Sequence, residues 1–304
     1  MKIDINDLYG VKGIGDKTIE RIKEQFREKK QSKAVKNFDP IKIDNAELYY
    51  GDCLDVMDYL IDKNIKVDAI ITDPPYGTTA CKWDSVIPFD EMWGRLNKLI
   101  KQNGAIVLFG SEPFSSALRM SNINNYKYDW TWKKSKPNGF QHSKNKPMKA
   151  IENICVFSQS PMGHKSLLGD KRMVYNPQGI IPSGKKTVKE CSHRGNTMGG
   201  DGISSSRPNQ VGKEYTSYTN FPNDFLEYPN VIGKNAIHPT QKPVELIEYL
   251  IKTYTNKGDV VLDFTMGSGT TGVAAKNLNR KFIGIELEKE YFDISIKILK
   301  GEIA

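Results

Sequence analysis

The residues of this chain with the most pointed chemistry stand together at Ile70-Ile71-Thr72-Asp73-Pro74-Pro75-Tyr76-Gly77. Asp73 offers a carboxylate, Pro74 a carbonyl and Tyr76 a flat ring. Proline fixes its own φ and pushes the residue before it into an extended conformation, and both Asp73 and Pro74 precede a proline. The turn is therefore stiff without help from neighbours. Two fixed acceptors beside an aromatic face suit a planar heterocycle bearing an exocyclic NH2; the plainer reading is a rigid strand-to-helix turn with a surface tyrosine. A second group runs from Gly258 to Thr271, where the strand-like Val260-Val261-Leu262-Asp263 leads through Phe264-Thr265-Met266 into Gly267-Ser268-Gly269-Thr270. Glycines permit close backbone approach, and the N–H groups at a helix start favour a carboxylate. Glu286 ends the next apolar run, Phe282 to Ile285, where an acid is placed to bind ribose hydroxyls.

These residues need a scaffold, and the hydrophobic pattern supplies one. Val67 to Ile71 reads as a buried parallel strand. Ala46 to Tyr50 reads as a short strand ending in Gly51-Asp52-Cys53-Leu54, with a helix to about Lys63. Asp52 then stands either as a ligand-facing acid or as a helix N-cap. A helix from Asp90 to about Lys101, a strand from Gly104 to Phe109 and a helix to about Met120, capped by Ser111, come next. Tyr128 to Trp132 and Asn153 to Phe157 form a hairpin at one edge of the sheet. Pro161 to Gly233 is rich in Gly, Ser, Asn and Pro and weak in periodicity. His238-Pro239-Thr240-Gln241-Lys242-Pro243 then introduces a helix with Val244, Ile247, Leu250 and Ile251 on one face and Thr240 at its cap. A helix from about Glu288 to Lys300 closes the chain.

With 304 residues and 38% hydrophobic content, the chain can bury a sizeable core. No apolar stretch is long enough to span a membrane and no signal peptide is evident, which points to the cytoplasm. A formal charge of +8 favours a polyanionic partner. Cys53, Cys81, Cys155 and Cys191 are scattered without metal-ligand spacing, so reduced thiols are expected and no metal.

Asp73-Pro74-Pro75-Tyr76 after a strand resembles the catalytic motif of DNA amino-methyltransferases, which methylate adenine N6 or cytosine N4 with S-adenosylmethionine. Asp263-Phe264-Thr265-Met266-Gly267-Ser268-Gly269-Thr270-Thr271 is very like that family's cofactor loop, and the His238 to Pro243 stretch is similar to one that closes over the cofactor. The resemblance implies that Asp73, Pro74, Pro75 and Tyr76 are catalytic. It assigns Asp52, Cys53, Asp263, Phe264, Gly267, Ser268, Gly269, Thr270, Glu286, Thr240 and Lys242 to the cofactor, with Asp52 accepting from the adenine amino group and Cys53 acting through its backbone. The order of motifs, catalytic first and cofactor loop last, matches the permuted beta class. The implied fold is α/β: a doubly wound, mostly parallel, seven-stranded sheet of the Rossmann-like methyltransferase type, circularly permuted, with its last strand antiparallel and a small α-helical N-terminal appendage.

That appendage, residues 1–36, resembles a helix-hairpin-helix. Lys12, Gly13, Gly15 and Lys17 form a hairpin before an amphipathic helix and are expected to meet DNA phosphates. The catalytic half spans 46–159, the target-recognition region 160–234 and the cofactor half 235–304. Lys133 to Lys149 holds six lysines and no acid and reads as a basic loop. Lys133, Lys134, Lys136, Phe140 and Lys144 are its candidate DNA contacts. Lys185, Lys186, Arg194 and Arg207 are candidate readers in the recognition region. The expected function is site-specific methylation of adenine N6 in double-stranded DNA, with S-adenosylmethionine and no metal. Cytosine N4, an RNA or protein amide substrate, and a catalytically idle DNA-binding protein are the alternatives. A homodimer and a cognate restriction endonuclease are candidate partners.

Overall fold

The computed structural model describes residues 37–78, 84–163, 168–188, 214–231 and 241–303. The expected helix-hairpin-helix, with Lys12, Gly13, Gly15 and Lys17, lies outside the described residues, as do Thr240, Arg194 and Arg207.

Eleven strands and six α-helices are described. The strands are β1 (Ile41–Ile43), β2 (Ala46–Tyr50), β3 (Val67–Thr72), β4 (Ile100–Gly110), β5 (Tyr126–Asn138), β6 (Lys149–Phe157), β7 (Ile181–Val188), β8 (Glu214–Thr219), β9 (Phe225–Tyr228), β10 (Val260–Asp263) and β11 (Lys281–Glu286). The helices are α1 (Cys53–Asp62), α2 (Phe89–Leu99), α3 (Phe114–Ser121), α4 (Val244–Tyr254), α5 (Thr270–Asn277) and α6 (Lys289–Lys300). Nine strands form one sheet in the order β1-β2-β11-β10-β3-β4-β6-β5-β9. Pairing is parallel from β2 through β4, while β6 runs antiparallel to both β4 and β5.

The alternation of side chains along β3 and β4 explains why helices cover both faces. Ala69, Ile71, Ala105, Val107 and Phe109 point to one side, where α4, α5 and α6 pack with Leu246, Ile247, Leu250, Ala274 and Phe292. Ile70, Ile106 and Leu108 point to the other, against Val56, Met57 and Leu60 of α1 and Met92, Trp93 and Leu96 of α2. Helix α4 buries Leu246, Ile247, Leu250, Ile251 and Tyr254, worth roughly 1.5–3 kcal/mol for each large apolar side chain. The two winding directions meet between β3 and β10, whose carboxyl ends lie side by side, with Ala69 beside Val261 and Ile70 beside Leu262. Such a switch point opens a crevice at the strand ends.

The seven strands expected are nine. The two additions are short edge strands: β1 pairs antiparallel with β2, and β9 pairs parallel with β5. Three residues of β1 in a lysine-containing stretch carry no readable periodicity. The same holds for β9, of which only Leu226 is buried. The stretch from Pro161 to Gly233, expected to be irregular, also contains the β7–β8 ribbon, on whose β7 strand Lys185 and Lys186 fall. The basic loop is shorter than expected, because β5 continues through Asn138 and takes Lys133 and Lys134 into the sheet. Helix α3 is not capped by Ser111. The Glu112 carboxylate accepts the Ser116 N–H at 3.2 Å instead. Helix α4 begins after Pro243, with no side-chain cap.

Candidate active site

Strand β3 delivers Asp73 to the crevice, and Thr72 anchors it there. The Thr72 hydroxyl donates to Asp263 and accepts the Phe264 N–H at 3.0 Å. The Thr265 hydroxyl donates to the Asp73 carbonyl at 3.1 Å. The carboxyl ends of β3 and β10 are therefore stapled by side chains as well as by the ladder. Asp263 also accepts from the Thr271 hydroxyl at 2.6 Å and the Thr265 N–H at 3.2 Å. Burial pushes its carboxyl up to about 6, against the pull of the Thr271 and Thr72 hydroxyls. Asp263 was expected to face the cofactor; these three donors make it the post to which the glycine loop is tied, although it still borders the cavity.

The loop from Phe264 to Gly269 turns through two left-handed glycines, Gly267 at φ +53° and Gly269 at φ +85°. A Cβ on Gly269 would stand 3.0 Å from that of Ser295 on α6, so the loop needs glycine for space as well as for φ. Gly267, Gly269 and Gly272 fall at Gly-x-Gly-x-x-Gly spacing, so the glycines alone do not separate this loop from a dinucleotide loop. Ser268 stands between these two glycines, and α5 starts at Thr270 without a side-chain cap. The Gly267 N–H donates to Glu286 at 2.8 Å, and the Glu288 N–H donates to the other Glu286 oxygen at 2.7 Å. Beside Glu286, whose carbonyl accepts the Gly51 N–H at 2.9 Å, Asp52 caps α1 by accepting the Leu54 N–H at 2.8 Å and the Asp55 N–H at 3.3 Å. Asp52 is therefore an N-cap that also lines the cavity. Arg95 braces this corner from behind, donating to the Leu54 carbonyl at 3.1 Å and to Asp58 at 2.7 Å. Burial pushes the Cys53 thiol up to about 12, so it stays protonated, in keeping with a backbone role.

One cavity of about 220 Å³ is bordered by both groups: Asp73, Pro74, Pro75 and Tyr76 after β3, and Phe264, Gly267, Ser268, Thr270 and Glu286 around the glycine loop, with Asp52 and Cys53 beside Glu286 at the end of β2. The Tyr76 hydroxyl donates to Asp73, and its ring stacks on Phe114 with centroids 5.0 Å apart. Burial and the Asp73 charge raise the phenol well above its ordinary range. Lys242, expected beside the cofactor, lines the same cavity and is brought to the Asp73 turn. Its Nζ meets Asp73 at 2.5 Å and Glu152 at 3.5 Å, and sits 5.1 Å from the Phe109 ring centroid. Burial pushes the Asp73 carboxyl up, and Lys242 works against that. For Lys242 the order is reversed: burial lowers it, and the two carboxylates outweigh burial, so it remains an ammonium.

Among the expected DNA contacts, Lys136 is exposed near the end of β5, and Phe140 and Lys144 are exposed on the β5–β6 connection, Phe140 at 77%. Lys133 is exposed but pairs with Glu227 at 2.8 Å. Lys134 is buried against Glu152 and is no phosphate contact. Trp130, Trp132 and Lys134 alternate onto one buried face, a period-two pattern readable in the sequence once β5 is known to continue. Thr72 and Thr265 lie within the quoted stretches but were given no role there, and Phe114 and Glu152 lie outside every motif. Glu152 shares the spacing of Ile154 and Val156 on β6, which is the signal that it faces inward.

Residues 67–297 match the family described as DNA methylase (N6_N4_Mtase). The type II methyltransferase M1.MboII of Moraxella bovis is 30% identical over 259 residues, which cover 81% of this chain and 93% of that protein. The type II methyltransferase M.BglII of Bacillus subtilis is 28% identical over 279 residues, 84% of this chain and 69% of that one. The solved complex of M1.HpyAVI with S-adenosylmethionine superposes with a TM-score of 0.53 at 28% identity, covering 83% of this chain and 99% of that one. A cavity joining a stiff Asp-Pro-Pro-Tyr turn to a glycine loop, in a chain matched over most of its length, has one consistent reading: the chain belongs to the DNA methylase family and is a site-specific DNA methyltransferase.

Proposed function

We propose that this chain methylates adenine N6 in double-stranded DNA with S-adenosylmethionine as donor, in the permuted beta arrangement. The observation that carries the reading is the single cavity shared by the Asp73 turn and the glycine loop. The residues there fit the donor. Glu286 accepts one N–H on each oxygen, so each keeps an acceptor site for a ribose hydroxyl. Asp52 offers an acceptor for an amino group, Phe264 an apolar wall, and the uncapped start of α5 a place for a carboxylate. When bound, S-adenosylmethionine supplies an electrophilic methyl group on a sulfonium sulfur.

The chain's own work is on the base. An aromatic amine is a poor nucleophile because its lone pair is delocalised into the ring. Hydrogen bonds from its two N–H groups to the Asp73 carboxylate and the Pro74 carbonyl localise that pair on nitrogen. Asp73 accepts from Tyr76 on one oxygen and Lys242 on the other, and each oxygen has a second lone pair for the amine. The nitrogen becomes cationic as it is methylated, and the carboxylate, fixed at close range, stabilises that charge. Tyr76, at the cavity edge, offers its ring as a stacking partner for a base turned out of the duplex. Lys136, Phe140 and Lys144 are the exposed candidates for backbone and base contacts. The matched type II methyltransferases support a restriction-modification setting with a cognate endonuclease.

The family covers both N6 and N4, so cytosine N4 is the second reading; Asp73, where the cytosine enzymes more often carry serine, favours adenine. Transfer of labelled methyl to unmethylated bacterial DNA, followed by nucleoside mass analysis, decides between them. N6-methyladenine is the expected product. N4-methylcytosine would overturn the base assignment and leave the use of Asp73 intact.

A further inference from the structure

Behind the Asp73 turn lies a row of four charged side chains, of which the methyl-transfer scheme uses Asp73 and its Lys242 contact but neither Glu152 nor Lys134. It runs from Asp73 to Lys242, from Lys242 to Glu152 at 3.5 Å, and from Glu152 to Lys134. Lys134, Glu152 and Lys242 are each less than a tenth exposed. Two carboxylates and two ammonium groups cancel, so the row is neutral. Strands place it: Glu152 stands opposite Trp132 in the β5–β6 ladder, and Lys134 follows two residues on along β5. The Lys134 ammonium sits 5.4 Å from the Trp132 ring centroid, as Lys242 sits against Phe109.

Burying four charges is costly, and apolar residues of similar size often serve stability as well or better. A row of this kind, ending on the reacting carboxylate, therefore asks for a functional account. We infer that Glu152 and Lys134 are positioning residues for methyl transfer: by keeping the row neutral, they hold Lys242 against Asp73 and set how strongly that carboxylate attracts a cationic amine. If Glu152 were missing, Asp73 would face two ammonium groups, and the developing positive charge on the base would be opposed. If Lys134 were missing, a net negative charge would remain, and Asp73 would hold a proton more readily. The other titratable groups facing Asp73 are Tyr76, which donates to it, and Asp263, across the β3–β10 junction. Neither bonds to Glu152 or Lys134 among the described residues; the Glu152 charge raises the Tyr76 phenol as well as Asp73, so the phenol stays protonated and keeps its bond to Asp73 through both charges. The direction of the Glu152 effect agrees with its upward pull on Asp73.

The inference rests on Asp73 being the residue that engages the amine. Four variants of the full chain separate the two claims: Asp73→Ala, Glu152→Gln, Lys134→Met and the double Glu152→Gln/Lys134→Met. Single-turnover methyl transfer to DNA is measured across pH at saturating S-adenosylmethionine, with donor affinity measured alongside by calorimetry as the check on folding. Glu152→Gln is expected to lower the plateau rate at least about fivefold and move the acid limb to lower pH. Lys134→Met is expected to move the limb to higher pH without loss at the plateau. The double variant, neutral again, is expected to recover most of the Glu152→Gln loss. Limbs that stay put, or move the same way in both single variants, overturn the inference, as does a double variant slower than either single one. If Glu152→Gln no longer binds the donor, the limb of Lys134→Met decides alone. Turnover retained by Asp73→Ala would instead overturn the role given to Asp73.

Discussion

Removing Lys242 tests the most consequential contact that the structure adds to the motifs. In Lys242→Met the apolar stem is kept and the ammonium is lost, so Asp73 and Glu152 lose the charge between them. Breaking a buried ion pair by deleting one partner typically costs 3–5 kcal/mol. The Asp73 side chain is 22% exposed and borders the cavity, so water can reach it and the lower figure applies, about 3 kcal/mol near pH 8. At roughly 2 °C per kcal/mol for a chain of this size, Tm should fall by about 6 °C. The sign with pH follows from the direction of the Asp73 shift. Its carboxyl is raised by burial even with Lys242 present, and without Lys242 it is raised further. A raised acid weakens the fold as pH climbs through its folded pKa and has no such effect below its unfolded one. The deficit of the variant should therefore be larger at pH 8 than at pH 5. Methyl transfer should fall about a hundredfold or more, as for loss of a preorganised electrostatic contact, with donor affinity nearly unchanged. Scanning calorimetry at several pH values and single-turnover assays read both effects. A Tm deficit equal at pH 5 and pH 8, or turnover within twofold of the native chain, would refute the reasoning.

Gly269→Ala should destabilise by about 1–2 kcal/mol, since alanine at φ +85° is strained and its Cβ would crowd Ser295; an unchanged urea midpoint, with donor affinity unaltered, would count against the loop geometry. Asp263, raised to about 6, contributes stability that is full below its unfolded pKa and is lost as pH rises through about 6, so the urea midpoint should decline over that window and the decline should flatten in Asp263→Asn. Lys144→Ala should weaken DNA binding and reduce the magnitude of the salt slope by about one, whereas Lys134→Ala, buried against Glu152, should leave that slope alone; filter binding across salt concentrations distinguishes them.

The catalytic turn and the glycine loop were legible in the sequence because their physics is local. Two prolines stiffen Asp73 and Tyr76 whatever surrounds them, and glycines at 267 and 269 announce a backbone that no other residue adopts cheaply. Alternating apolar runs likewise determined the α/β class and the helices that flank the sheet. What the sequence could not supply were contacts between residues far apart in it. Lys242 lies 169 residues from Asp73, and only the packing of α4 beneath β3 and β4 brings its ammonium to the turn. Glu152 and Lys134 are joined by the register of β5 against β6, which no residue in either strand encodes alone. The same register turned Lys134 from an expected phosphate contact into a buried ion. It also let β9 extend the sheet, because an edge strand forms wherever an exposed ladder offers unpaired N–H and C=O groups, and needs little pattern of its own. Local stiffness and periodicity thus marked the candidate residues for chemistry, while strand register and helix packing decided which charges surround them.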